Sequence, residues 1–131
     1  LQEADGVPRW KPWVENHARD AHETLEKPVY AGEVAPSNDH GNFRVDRREA
    51  DWKAKDEKRA EKYREIFDEF LDHDVNGALN WTFMIPFDYA TDPVDDPAGW
   101  NAGVSVYPDD PHTPAVMREY ASTLDSMSSE P

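Results

Sequence analysis

The residue best placed to do chemistry is Glu33, which closes the run Lys27-Pro28-Val29-Tyr30-Ala31-Gly32-Glu33. The run is short and apolar, begins after a proline and ends on a carboxylate. An amphipathic segment precedes it and a polar, turn-rich segment follows. That order predicts a buried parallel strand whose C-terminal tip presents one acidic group, the end at which α/β barrels keep their chemistry. Read by itself, the same residue is also a plain surface acid at a strand end.

The other polar clusters point to less. His17 and His22 are five apart, not the four that place two imidazoles on one side of a helix. Asp88, Asp92, Asp95 and Asp96 do not follow the alternating ligand pattern of a calcium loop. His40 reads as a solvated loop histidine. There are no cysteines, so disulfides and thiolate metal sites are excluded. No metal site and no cofactor are expected. Asn80-Trp81-Thr82 fits the glycosylation pattern but lies in an expected buried strand.

The elements that must position Glu33 follow from periodicity. Residues 1–9 read as a connecting loop. Trp13, Val14, His17, Ala18, Ala21 and Leu25 recur at three- and four-residue spacing, with Pro12 in the first turn and Pro28 as the stop. This predicts a helix ending near Glu26. Residues 28–35 form a strand that is non-polar on both alternating sets up to Glu33, a pattern of parallel sheets covered by helices. Residues 36–50 are a polar loop. A helix over 51–71 carries the stripe Ala60, Tyr63, Ile66, Phe67, Phe70 and Leu71, with a charged outer face. Asp74-Val75-Asn76-Gly77 turns the chain into a second strand over 78–84. A loop over 85–112, rich in Pro, Asp and aromatics, has the length of a functional loop. A last helix starts at Thr113, read as its cap, and Pro114. It turns Val116, Met117, Tyr120, Ala121 and Leu124 inward, and a frayed tail covers 126–131.

The chain has 131 residues, 37% of them hydrophobic, with five each of Trp, Tyr and Phe, too aromatic for a disordered chain. Its net charge of −14 repels nucleic acid and anionic membranes and argues against both as partners. In about 1 M salt the Debye length falls to roughly 3 Å and the self-repulsion is screened, as suits a salt-adapted protein. No apolar run is long enough to span a membrane, and no secretory signal is present. Two parallel strands cannot cover their own faces and edges. The chain therefore reads as the last quarter of a larger sheet, with its start at Leu1 leaving room for an upstream portion.

Two ordered motifs resemble retaining glycoside hydrolases of family 5, which are (β/α)8 barrels. Trp13-Val14-Glu15-Asn16-His17-Ala18-Arg19-Asp20-Ala21-His22-Glu23, followed by Leu25 to Glu33, resembles the family's helix six, tight loop and strand seven, which ends in the nucleophile Glu. Gly77-Ala78-Leu79-Asn80-Trp81 resembles strand eight with its substrate-platform Trp. Gly103-Val104-Ser105-Val106-Tyr107-Pro108-Asp109-Asp110 resembles the segment before the last helix of the family's endo-β-mannanases. The likeness spans roughly residues 10–125. The chain has Val34-Ala35-Pro36 where the family commonly has an aromatic residue and Gly, and Thr82 where Gln is frequent.

The resemblance implies the C-terminal quarter of a TIM barrel over residues 1–131: helix, strand seven, helix seven, strand eight, helix eight. It implies an endo-acting, retaining β-glycanase with mannan ahead of glucan as substrate. Glu33 is then the nucleophile, Trp81 the sugar platform, and Trp100 and Tyr107, with Tyr89, line outer subsites. The acid/base would sit in an Asn-Glu pair, which this sequence lacks. The remainder of the barrel, N-terminal to Leu1, would supply it, and this segment alone is expected to be inactive. An extracellular enzyme with its signal upstream follows from the same resemblance. The alternatives are a non-catalytic carbohydrate-binding or interaction module built on Trp81 and the aromatic loop, or a purely structural acidic domain.

Overall fold

A computed structural model of the chain describes residues 10–36, 45–47, 49–80 and 105–128. The element order is α1 (Trp10–Arg19), a π turn (Asp20–Thr24), β1 (Tyr30–Val34), α2 (Trp52–Asp72), β2 (Gly77–Asn80) and α3 (Thr113–Ser128). The last four residues of the expected second strand, 81–84, lie outside the described residues, as do Trp81, Tyr89, Trp100, His40 and the aspartates from 88 to 96.

β1 and β2 run parallel, with α2 as the connection that crosses between them. Tyr30 pairs with Gly77 and Ala31 with Ala78, and the register then shifts so that Val34 pairs with Asn80. Three steps along β1 therefore match two along β2. Just before the strands, Asn76 doubles as a rung: its N–H donates to the Val29 carbonyl at 2.9 Å, and its side-chain Oδ1 accepts from the Val29 N–H at 2.8 Å.

The core lies on one side of this pair. Ala60, Tyr63, Phe67 and Phe70 of α2 are buried with Val34, Val75, Val106, Val116 and Tyr120. Phe67 stacks on Tyr120 with centroids 4.2 Å apart and planes at 3°. No described residue covers the other side of the sheet. Tyr30 is 65% and Leu79 68% exposed, so the two-sided burial that the apolar strands predict is absent among the described residues. Three helices and two strands provide a covering layer for one face only. A parallel pair with a crossover helix is shared by α/β folds at large, so the barrel reading is carried forward as a proposal.

The helices differ from the periodicity reading in three places. In α1 the inward line is Trp10, Val14 and Ala18, at i, i+4 spacing, while Trp13 is 48% exposed and stacks on His17 at 4.2 Å. The helix widens after Arg19 into the π turn, Leu25 is exposed, and Glu26 reverses the chain at φ 53° ahead of Pro28. At the other end of the chain, α3 runs to Ser128, into the tail expected to fray. There Ser126 and Ser128 hydroxyls donate to the Thr123 and Leu124 carbonyls.

α2 ends in a Schellman turn: Val75 N–H donates to the Phe70 carbonyl at 2.8 Å and Asp74 N–H to the Leu71 carbonyl at 3.3 Å. Asp74 holds the left-handed position that glycine prefers, at φ 54°. Asp74→Gly is expected to raise stability by about 0.5–1 kcal/mol, since the strain of a side chain there exceeds the entropy cost of glycine. The midpoint of urea unfolding checks this, and a lower midpoint would contradict it.

Candidate functional site

Glu33 is exposed and stands one residue before the tip of β1, within the stretch where the register shifts. A bulge leaves an extra residue opposite its partner strand and re-aims the side chains beside it, which is why bulges gather near active sites. Ala31, Val34 and Ala78 pack toward the helices, whereas Tyr30, Gly32, Glu33 and Leu79 are exposed. A Cβ placed on Gly32 would meet nothing within 4 Å, so the approach beside Glu33 is open. An exposed carboxylate in that position can accept a hydrogen bond, attack an electrophile or stabilise a cation.

The two strand tips are tied together from below. Tyr63, wholly buried in the middle of α2, points its hydroxyl at both: it donates to Asn80 Oδ1 in a short bond and lies 3.4 Å from the Val34 carbonyl oxygen. Burial raises the Tyr63 pKa, so the phenol keeps its proton and remains a donor throughout the physiological range. The Asn80 amide nitrogen is buried without a partner.

A second polar cluster, at the start of α3, escaped the periodicity reading. Asp56 and Arg59 are 0% and 1% exposed. Arg59 Nη2 donates to Asp56 Oδ1 and to Asp110 Oδ2, both at 2.8 Å, its Nη1 donates to the Ser105 carbonyl at 2.8 Å, and its Nε to Thr113 Oγ1 at 3.1 Å. The Thr113 hydroxyl in turn donates to Asp56 Oδ1 at 2.5 Å. Asp56 Oδ2 accepts from the His112 N–H at 2.8 Å and the Thr113 N–H at 3.4 Å. The carboxylate that caps α3 thus comes from α2, while the side chain of Thr113, expected to cap its own helix, is turned into the cluster.

The cluster continues outward. Asp110 accepts from Arg47 Nη2 at 2.5 Å and from the Tyr107 N–H at 2.8 Å, and Arg47 Nη2 also donates to Asp109 Oδ1 at 2.7 Å. Burial alone would raise the Asp56 pKa, but the bonds from Thr113, Arg59 and the His112 N–H outweigh it and hold the carboxyl below its ordinary range. The Arg47 hydrogen bond does the same for the more open Asp109. A signal for this cluster was present in the sequence: 56, 60, 63, 67 and 70 continue the α2 stripe at helical spacing, and its first member is charged.

Tyr107 belongs to this second cluster. It is 3% exposed, and the Arg47 guanidinium lies over its ring at 4.4 Å. The structure thus brings Glu33 near the start of the 81–104 stretch and ties Tyr107 to the α2–α3 junction. Trp81 directly follows Asn80, and both it and Trp100 lie outside the described residues. Among the described residues no group of three or more His, Asp or Glu could hold a metal ion, and no helix is long and apolar enough to cross a membrane. The chain matches no protein-family model, no curated protein and no solved structure.

Proposed function

We propose that this chain is the C-terminal part of a (β/α)8 retaining glycoside hydrolase that cleaves internal β-1,4 bonds of a polysaccharide, mannan in preference to glucan. The observation that carries the reading is an open carboxylate, Glu33, at the bulged C-terminal tip of the first of two parallel strands. The described part of the second strand reaches Asn80, the pairing partner of Val34, and Trp81 follows in sequence. The exposed face, with Tyr30 and Leu79, also suits a reading in which side chains from further strands of a closed barrel pack against it.

Glu33 would attack the anomeric carbon as the glycosidic C–O bond breaks, while an acid about 5–5.5 Å away, from an upstream part of the barrel, protonates the leaving oxygen. Water activated by the same group then releases the sugar and restores the Glu33 carboxylate. Trp81 would present its ring to the C–H face of a sugar, with Trp100 beyond it. Tyr107, enclosed beneath the Arg47 guanidinium, offers no ring to a sugar, so the expected outer-subsite role does not extend to it. No cofactor enters this chemistry. The acidic surface suits secretion into a salty medium.

The test is reducing-end release from β-mannan and β-glucan in high salt by the full-length polypeptide, beside its Glu33→Gln variant. Activity that disappears in the variant supports the assignment. Equal activity in both, or none in either, overturns it in favour of a sugar-binding or structural role.

A further inference from the structure

We infer that Tyr63 is a positioning residue for Glu33, holding the register shift of β1 in place through Asn80 and the Val34 carbonyl; this rests on the glycosidase reading above. The hydroxyl of a wholly buried tyrosine contacts both strand tips, and it does so at the only described pair where the register has just shifted, Val34↔Asn80. Glu33 is the neighbour of Val34. A bulged strand has lost part of its ladder bonding and can slip, and a slip of one residue carries every side chain to the opposite face. Here that slip would turn Glu33 toward α2 and away from the open side.

On the open side the Tyr30 ring lies over Gly77 at the start of the pair, but beside the shift itself no described residue comes within 4 Å of a Cβ position on Gly32. The restraint comes from the helix side. The ring of Tyr63 packs on Phe67 with centroids 5.5 Å apart, which sets the height of the hydroxyl under the strand tips. Because burial raises its pKa, the phenol stays a donor across the working range of the site.

Asn80 completes the tie. It spends its side-chain oxygen on Tyr63 while its amide nitrogen stays buried and unpartnered, an arrangement that costs stability and gains only the link. Two conservative variants of the full-length polypeptide separate positioning from plain stabilisation. Tyr63→Phe keeps the ring and removes the donor. Asn80→Leu keeps the shape and removes both the acceptor and the orphaned nitrogen, so relief of that nitrogen offsets part of the cost of leaving the Tyr63 hydroxyl only the Val34 carbonyl at 3.4 Å.

Both variants are expected to lower kcat on β-mannan about tenfold with KM within about twofold, because a displacement near 1 Å at a reacting group can cost up to about 100-fold. Amide exchange in residues 30–34 should quicken in both, with α3 unchanged. Hydrolysis that is lost in Glu33→Gln yet equals the parent in both tie variants overturns the positioning role alone. So does a loss in Tyr63→Phe that Asn80→Leu does not share. A parent polypeptide that hydrolyses neither polymer overturns the glycosidase reading and the positioning role with it.

Discussion

Glu33→Gln is expected to lower kcat on β-mannan by about 10⁴-fold while leaving KM within a few-fold, a loss of about 5.4 kcal/mol of transition-state stabilisation at about 1.36 kcal/mol per factor of ten. The amide has the shape of the carboxylate but cannot form the glycosyl ester through which retention proceeds. Glu33 is exposed and none of the described helices packs over it, so the substitution should leave the urea midpoint where it was. A shorter side chain sharpens the test. Glu33→Ala leaves room for azide, which should restore turnover and yield a glycosyl azide of inverted configuration. Rescue with retained configuration would instead assign Glu33 as the acid/base.

Asp56→Ala is expected to destabilise the protein by about 3–5 kcal/mol, the usual cost of leaving one member of a buried ion pair without its partner. Three losses coincide at this position. Arg59 keeps Asp110 but loses one of its two carboxylates, the Thr113 hydroxyl loses its carboxylate acceptor, and the first N–H groups of α3 lose the cap that Asp56 supplies. A helix N-terminus also favours a negative charge in its own right.

The Asp56 contribution depends on pH in a definite direction. Its folded pKa is lowered from 3.8, so its stabilisation is fully present above the ordinary carboxylate range and disappears as pH falls through the lower folded value. Asp56→Asn should therefore differ most from the parent near neutral pH, with the gap closing only below about pH 4. Urea midpoints measured from pH 7 down to pH 2.5 would show this. A gap that widens on acidification would show that the carboxyl is protonated in the native protein.

The sequence carried the order of elements because each rests on a local signal. The stripe from Ala60 to Leu71, Pro28 ahead of β1 and Pro114 inside α3 each constrain only their own neighbourhood. Glu33 was visible for the same reason, as the acid closing an apolar run. Less local features were hidden. The inward line of α1 depends on which side meets α2, and Trp13 lost that contact to Trp10 although both fit a helical period. The bulge before Val34 arises between strands that are far apart in sequence. The cap of α3 comes from α2, so no pattern within residues 110–116 could announce it. The one partial clue, charge at positions 56 and 59 beside an apolar stripe, merges in sequence with the charged outer face of the same helix.

The chain between Asn80 and Ser105 is anchored at both ends to the same helix: Tyr63 holds Asn80, and four residues earlier on α2 Arg59 holds the Ser105 carbonyl. α2 thus works as a ruler that fixes where this stretch departs and where it returns, independently of its contents. Loop-closure entropy grows slowly, so even doubling the length between two such anchors costs only about 0.6 kcal/mol. A change in the number of residues between them would leave both anchors in place. Sugar contacts carried between the two anchors could thereby change with substrate while the scaffold that carries Glu33 keeps its shape.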